Sequence, residues 1–156
     1  MRVIVESNAE DVAPTSATLV LERVAQNPGL VRGTATGRTM RGVYSWCAEL
    51  HRERAVSFRR VVVFNLDGYV GVGQDHERSF HAFVRDRLVE TMDMPSAALN
   101  APDGLAPDPA EEASRYEGAI EAAGDIDLQL LGIGRNGYLG FNEPGASLTG
   151  RGPWRR

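Results

Sequence analysis

Apolar positions along the chain fall into runs and stripes that alternate between the two regular periods. Val3-Ile4-Val5 predicts a short opening strand. Between residues 9 and 26, Ala17, Val20, Leu21 and Val24 recur every three or four positions and predict a helix. Pro14 limits its start, because proline fits only a first turn, and Asn27-Pro28-Gly29 stops it. Residues 30–35 predict a second strand, ending in Thr36-Gly37-Arg38-Thr39. Met40, Val43, Tyr44, Cys47 and Leu50 then trace one face of a helix over residues 39–54. Residues 60–66, with Val61-Val62-Val63-Phe64 at their centre, are apolar on both faces, as a parallel strand between two helical layers would be. Asp67-Gly68-Tyr69-Val70-Gly71 closes that strand as a loop.

Further on, Phe80, Phe83, Val84 and Leu88 mark a helix over residues 76–90. Residues 93–109 hold Pro95, Pro102, Pro107 and Pro109 and read as a loop. A helix over 109–123 turns Ala113, Tyr116 and Ile120 inward, and residues 126–131 form a last buried strand. The ending Gly150-Arg151-Gly152-Pro153-Trp154-Arg155-Arg156 does not read as a strand leading onward. The order β-α-β-α-β-α-α-β predicts an α/β fold: a three-layer, mostly parallel Rossmann-like sheet with helices on both faces. Ligands of such sheets bind outside the carboxyl ends of the strands. Segments 36–39, 67–71 and 132–143 all land there and point to one site.

Composition narrows the chemistry. With 156 residues, 42 % hydrophobic, 24 % charged and a net charge of −4, the chain is an ordinary globular domain in class. No apolar run approaches a membrane span, and the opening Met1-Arg2-Val3-Ile4-Val5 leads into a strand pattern rather than a leader. Cys47 is the lone cysteine, so a reducing, cytoplasmic setting is expected. Mild acidity speaks against nucleic acid as a partner. All 17 basic residues are arginine. That excludes a lysine Schiff base, a lysine general base and a GxxxxGK[ST] phosphate loop. Arginine holds phosphate but does not give up its proton, so proton transfer falls to carboxylates, histidines, tyrosines or the cysteine.

Several motifs compete for that role. Gly132-x-Gly134-x-x-Gly137 matches a dinucleotide fingerprint in form, but Gly140, Pro144 and Gly145 oppose the helix it must open. His76 and His81 lie five residues apart, about 140° around a helix, too divergent for a shared zinc ion; no metal site is expected. Thr36-Gly37-Arg38-Thr39 joins a strand to a helix N-terminus, where free amides favour an anion. Asp67 follows an apolar strand and reads either as a turn residue or as an acid/base group. Glu143, in Phe141-Asn142-Glu143-Pro144, supplies a second carboxylate at a neighbouring strand end.

Taken together, Val63-Phe64-Asn65-Leu66-Asp67-Gly68-Tyr69-Val70-Gly71 resembles the catalytic-aspartate segment of glucosamine-6-phosphate deaminases. Residues 130–145, LLGIGRNGYLGFNEPG, resemble the second signature of the same family, and Ala35-Thr36-Gly37 fits its phosphate loop. The resemblance covers residues 1–151 and sets 152–156 apart as a tail; it implies a single domain whose family counterparts continue further, with a lysine among their phosphate ligands. It implies conversion of an amino-sugar phosphate, glucosamine 6-phosphate, to fructose 6-phosphate and ammonia without a cofactor. On this resemblance Asp67 moves the proton between C2 and C1, and Asn136, Tyr138 and Glu143 form the ring-opening group. Thr36, Gly37, Arg38, Thr39, Gly134, Gly137 and Arg151 form the substrate and phosphate contacts. Tyr138 stands where the family carries histidine, Gly68 where an acid follows the aspartate, and Arg38 and Met40 where the phosphate loop has a small residue and a proline. A phenol is a weak base at neutral pH, so a non-catalytic sugar-phosphate binder is the alternative reading. A sugar-phosphate lactonase shares the general architecture, but the Phe-Asn-Glu-Pro segment favours the deaminase branch. Oligomeric state is left open between monomer and homo-oligomer.

Overall fold

Two short buried strands, β1 (Val31–Thr34) and β2 (Val62–Asn65), pair in parallel and in register, Val31 opposite Val62 and Thr34 opposite Asn65. A computed structural model describes residues 3–146 and the backbone of residues 154–155. Around this pair the described elements follow in the order α1 (Val12–Gln26), β1, α2 (Arg38–Arg54), β2, β3 (Gly68–Tyr69), α3 (Phe80–Arg87), β4 (Leu99–Asn100), α4 (Pro109–Ala122), β5 (Leu128–Gln129) and β6 (Trp154–Arg155). The main sheet runs β4-β2-β1-β5 with every pair parallel. Alternation along a strand divides its faces. Val63 joins α1, α2 and α3 in the larger apolar cluster, whereas Val31 and Phe64 face Tyr116 of α4 on the other side. The three-layer arrangement of helices on both faces of a parallel sheet is therefore present.

Local chemistry sets the helix ends. Ser79 caps α3, its side chain accepting from the amides of His81 and Ala82. Asp108 caps α4 in the same way, accepting from Ala110 and Glu111, with Pro109 at the first helical position. Pro14 sits within the first turn of α1. No helix among the described residues is long and apolar enough to cross a membrane.

Four expectations are corrected. Residues 3–5 are not a strand: Val5 is 86 % exposed, and this three-residue run has no ladder partner among the described residues. The helix expected from residue 76 starts at Phe80, because the Ser79 cap fixes its first turn. The proline-bearing segment after it is not all loop. It holds a 3-10 turn at Ser96–Ala98 and the edge strand β4, whose pairing with Val63 and Phe64 is a tertiary effect rather than a local one. Finally, β6 is a strand after all, pairing in parallel with β3, Gly68 opposite Trp154. Thus the described chain lacks the opening strand of the expected order and gains β4 between α3 and α4.

One residue of β1 conflicts with the apolar face it occupies. Arg32 is fully buried, and its three guanidinium nitrogens find no hydrogen-bond acceptor among the described residues. The charge rests against the Tyr44 ring, 5.5 Å from its centroid, beside Cys47. A cation–π contact returns about 2 kcal/mol, less than the several kcal/mol of taking an ion out of water. Burial also pushes the Tyr44 hydroxyl up to about 12 and the Cys47 thiol upward, so neither supplies a counter-ion near neutrality. Arg32→Met, which fills the space without the charge, is expected to stabilise the fold by about 1–4 kcal/mol. Thermal unfolding followed by circular dichroism checks this, and a lower midpoint in the variant would show the guanidinium to be compensated.

Candidate active site

The parallel register ends β1 and β2 at one level, and the segments that leave them open onto a shared cleft of about 510 Å³. Ala35 to Met40 lines it from the β1–α2 connection, Leu66 and Asp67 from the end of β2, and Phe80 from α3. Gly132, Ile133, Gly134, Arg135, Tyr138, Gly140 and Phe141 line it from beyond β5. Of the residues expected here, Thr36, Gly37, Arg38, Thr39, Asp67, Gly134 and Tyr138 are on its wall. Asn136, Gly137 and Glu143 are not. Arg151 lies outside the described residues.

The first wall brings together backbone amides and positive charge. Gly37, at φ 113°, turns the chain from strand to helix, a conformation that a side chain would strain. No side chain caps α2, so its first amides stay available and the positive end of the helix points at the cleft. Arg38 and Arg135 stand on the same wall system. Beneath it Tyr44 donates to the Ala35 carbonyl, pinning the start of the turn.

Among the described residues Asp67 is the one carboxylate on the cleft wall. Its residue is 7 % exposed, and burial alone pushes its carboxyl from 3.8 to about 6. The chain around Gly140 lies over it: a Cβ there would sit 3.5 Å from Asp67 Oδ2. Aromatic contacts hold the two loops together. Tyr69 lies 4.9 Å from Phe80 and 5.3 Å from Phe141, and Phe80 and Phe141 stack at 6.0 Å. Phe80 reads in the sequence as core, because helical spacing cannot tell a core face from a cleft wall; Phe141 gives no periodic signal at all.

The remaining polar groups form a linked set at the mouth. Asn136 Nδ2 donates to Glu143 Oε2 at 2.8 Å, and the Tyr138 amide donates to Asn136 Oδ1 at 3.2 Å. The Tyr138 ring lies across Gly134 so closely that a Cβ there would come within 2.0 Å of it. Glu143 therefore reaches the cleft only through Asn136 and Tyr138.

The buried carboxyl has a consequence for stability. An acid raised from 3.8 to about 6 binds more protons folded than unfolded, so stability falls as pH rises between those values. Above pH 6 the ionised, buried Asp67 destabilises the fold by on the order of 2–3 kcal/mol. Asp67→Asn should raise the unfolding midpoint at pH 8 and lose that advantage near pH 4. Equal effects at both pH values in thermal scans would contradict a buried, raised carboxyl.

The model of the family described as glucosamine-6-phosphate isomerases/6-phosphogluconolactonase matches residues 6–140. A glucosamine-6-phosphate deaminase of Geobacillus sp. (strain WCH70) is 42 % identical over 149 residues, 96 % of this chain and 59 % of that protein. One from Shewanella loihica is 39 % identical over 97 % of this chain and 56 % of its own length. The structure of a monomeric glucosamine-6-phosphate deaminase of the NagB superfamily superposes with a TM-score of 0.92 at 37 % identity, over 97 % of this chain and 63 % of that one. A 6-phosphogluconolactonase from Thermotoga maritima shares the fold, with a TM-score of 0.70 at 24 % identity. The chain thus spans less than two thirds of the length of these relatives, yet it carries the family's features over nearly all of its own. By that match, this chain belongs to the glucosamine-6-phosphate isomerase/6-phosphogluconolactonase family.

Proposed function

We propose that this chain acts on an amino-sugar phosphate, converting glucosamine 6-phosphate to fructose 6-phosphate and ammonia. One observation carries the reading. A carboxyl raised to about 6 stands in the same cleft as an uncapped helix N-terminus and two arginines. A general base works best with a proton affinity near the operating pH, and the opposite wall suits a phosphate dianion.

In the proposed reaction the phosphate sits against Thr36, Gly37, Arg38 and Thr39, with Arg135 adding charge. Asp67 takes the proton from C2 of the open-chain sugar, leaving an enolamine. The same carboxyl returns the proton to C1, giving the C2 imine, and water then adds at C2 and expels ammonia. No lysine and no cofactor enter these steps. Tyr138, oriented by Asn136 and Glu143, faces the ring oxygen, where a phenol is a slow acid/base group. A second reading follows from the same residue: with Tyr138 packed over Gly134, the cleft binds a sugar phosphate without turning it over.

A coupled assay for ammonia and fructose 6-phosphate separates the two. On the first reading, turnover exceeds that of Asp67→Asn by at least 100-fold, and Tyr138→His raises it by roughly ten-fold or more, within the usual span of acid/base contributions. Thermal stabilisation by glucosamine 6-phosphate with no ammonia above the Asp67→Asn background would establish the second. Hydrolysis of 6-phosphogluconolactone, measured alongside, would move the assignment to the other branch of the family.

A further inference from the structure

The loop that follows Asp67 is locked to a second loop, backbone against backbone. Between β3 and α3 the Gly71 amide donates at 2.7 Å to the carbonyl of Gly104, which lies in the connection from β4 to α4. A Cβ at Gly104 would come within 2.3 Å of the Val72 carbonyl oxygen and 2.4 Å of the Tyr69 carbonyl oxygen. Both atoms are main chain, and neither can rotate aside as a side chain would. Gly104 is not one of the glycines with positive φ, so its missing side chain serves close approach rather than a turn conformation. It stands outside the substrate cleft.

These two loops close the space behind Asp67. Asp67, Gly68, Tyr69 and Val72 from one side and Ala101 and Pro102 from the other wall a gap with about 10 Å³ open to a water-sized sphere. The second loop is the firmer. Asp103 donates its amide to the buried Glu112 of α4 at 2.7 Å, and its carboxylate accepts from the Leu105 amide at 2.9 Å. The first loop is held by the Tyr69 ring against Phe80 and Phe141. A side chain at Gly104 therefore displaces Tyr69 to Val72, and with them the chain that leaves Asp67. We propose that Gly104 is a positioning residue for Asp67, its bare backbone letting the 68–73 loop close behind the carboxyl and keep water from it. Its role in turnover rests on the deaminase reading, whereas its hold on the surroundings of Asp67 does not.

The proton affinity of Asp67 reports that closure. Burial alone holds it at about 6, so admitting water moves it down toward 3.8. Arg38, Arg135 and Tyr138 are the other charged or titratable groups on the cleft wall. Behind Asp67 stand Tyr69 on its own loop and His81 on α3, while Ala101 and Pro102 bring no charge from the Gly104 loop. None of these groups is a cause of the raised value. A change at Gly104 adds or removes no charge, so a shift that follows it reads the hydration of the carboxyl.

The test is the Asp67 titration, followed by NMR of the full chain with ¹³C-labelled aspartate, in Gly104→Ala and in Val24→Ala. Val24→Ala removes buried volume from α1 and so destabilises the fold without adding anything to either loop. Gly104→Ala is expected to lower the Asp67 titration by about half a pH unit or more, and Val24→Ala to leave it within about 0.2. Should Gly104→Ala fail to fold, one glycine inserted after the exposed Leu105 slackens the same loop without adding a side chain, and the same fall is expected. A smaller fall in the variant that folds, or an equal fall in Val24→Ala, would overturn the proposal. Kinetics separates it from the function. Where the wild type turns over glucosamine 6-phosphate, Gly104→Ala should carry the acidic limb of kcat downward by the same amount, with KM held within about two-fold. A moved titration without wild-type turnover would reject the deaminase reading and leave Gly104 in its role; turnover with an unmoved titration would do the reverse.

Discussion

The in-register parallel pairing of β1 with β2 is the constraint on which the rest of the molecule depends. It brings Thr34 and Asn65 side by side at the carboxyl ends of two central strands, where three polar bonds fasten the ends together. Thr34 Oγ1 donates to Asn65 Oδ1 at 2.9 Å, Tyr116 from α4 donates to the Asn65 carbonyl at 2.8 Å, and Tyr44 from α2 donates to the Ala35 carbonyl. The helices on the two faces are thereby tied to the same level of the sheet. Each loop that leaves that level inherits a fixed origin, and the turn at Thr36–Thr39 and Asp67 meet because their strands stop together. A slip of one residue would exchange the faces of β2 and turn Val63 away from the large core.

The second wall is held by weaker forces. Beyond β5 the chain returns through paired turns, with Ile133 bridged to Leu139 and Leu139 to Asn142, and its contact with the body runs through aromatic rings. Edge-to-face and stacked pairs are worth about 0.5–1.5 kcal/mol each beyond their buried area. The seclusion of Asp67 thus depends on contacts much softer than the strand pairing beneath it. Motion of this segment changes the hydration of the carboxyl, and with it the proton affinity, before it changes the fold.

How far the sequence foretold this varies by element, for physical reasons. Helices α2 and α4 were legible because strong periodicity and end signals agree, including Asp108-Pro109 at the start of α4. Strand β2 was legible because it is apolar on both faces. Strands β3, β4 and β6 were not, since two residues carry no period and exist only through their partners. Val3-Ile4-Val5 shows the reverse failure, a strand-like pattern with no strand to pair with. At the site, the rule that ligands sit beyond strand ends points to the segments holding Thr36–Thr39 and Asp67, and these segments line one cleft. That rule says nothing about how a long loop folds back. Glu143 therefore reads as facing the site, whereas it stands behind Asn136.

Two buried ionisable side chains, Asp67 and Arg32, make the energetic logic of the fold explicit. Both sit at positions that apolar residues would occupy more favourably. Asp67 can escape its penalty by taking up a proton, because burial has moved its titration to about 6, and it lies against a cleft. On the proposed function, the free energy that ionised Asp67 takes from the fold is the free energy that would suit it to act as a base near neutrality. Arg32 has no such route. A guanidinium does not shed its proton, and the Tyr44 ring and Cys47 thiol beside it offer no anion. Removing the Asp67 charge should therefore exchange function for stability, whereas removing the Arg32 charge should stabilise the sheet and leave the chemistry of the cleft as it was.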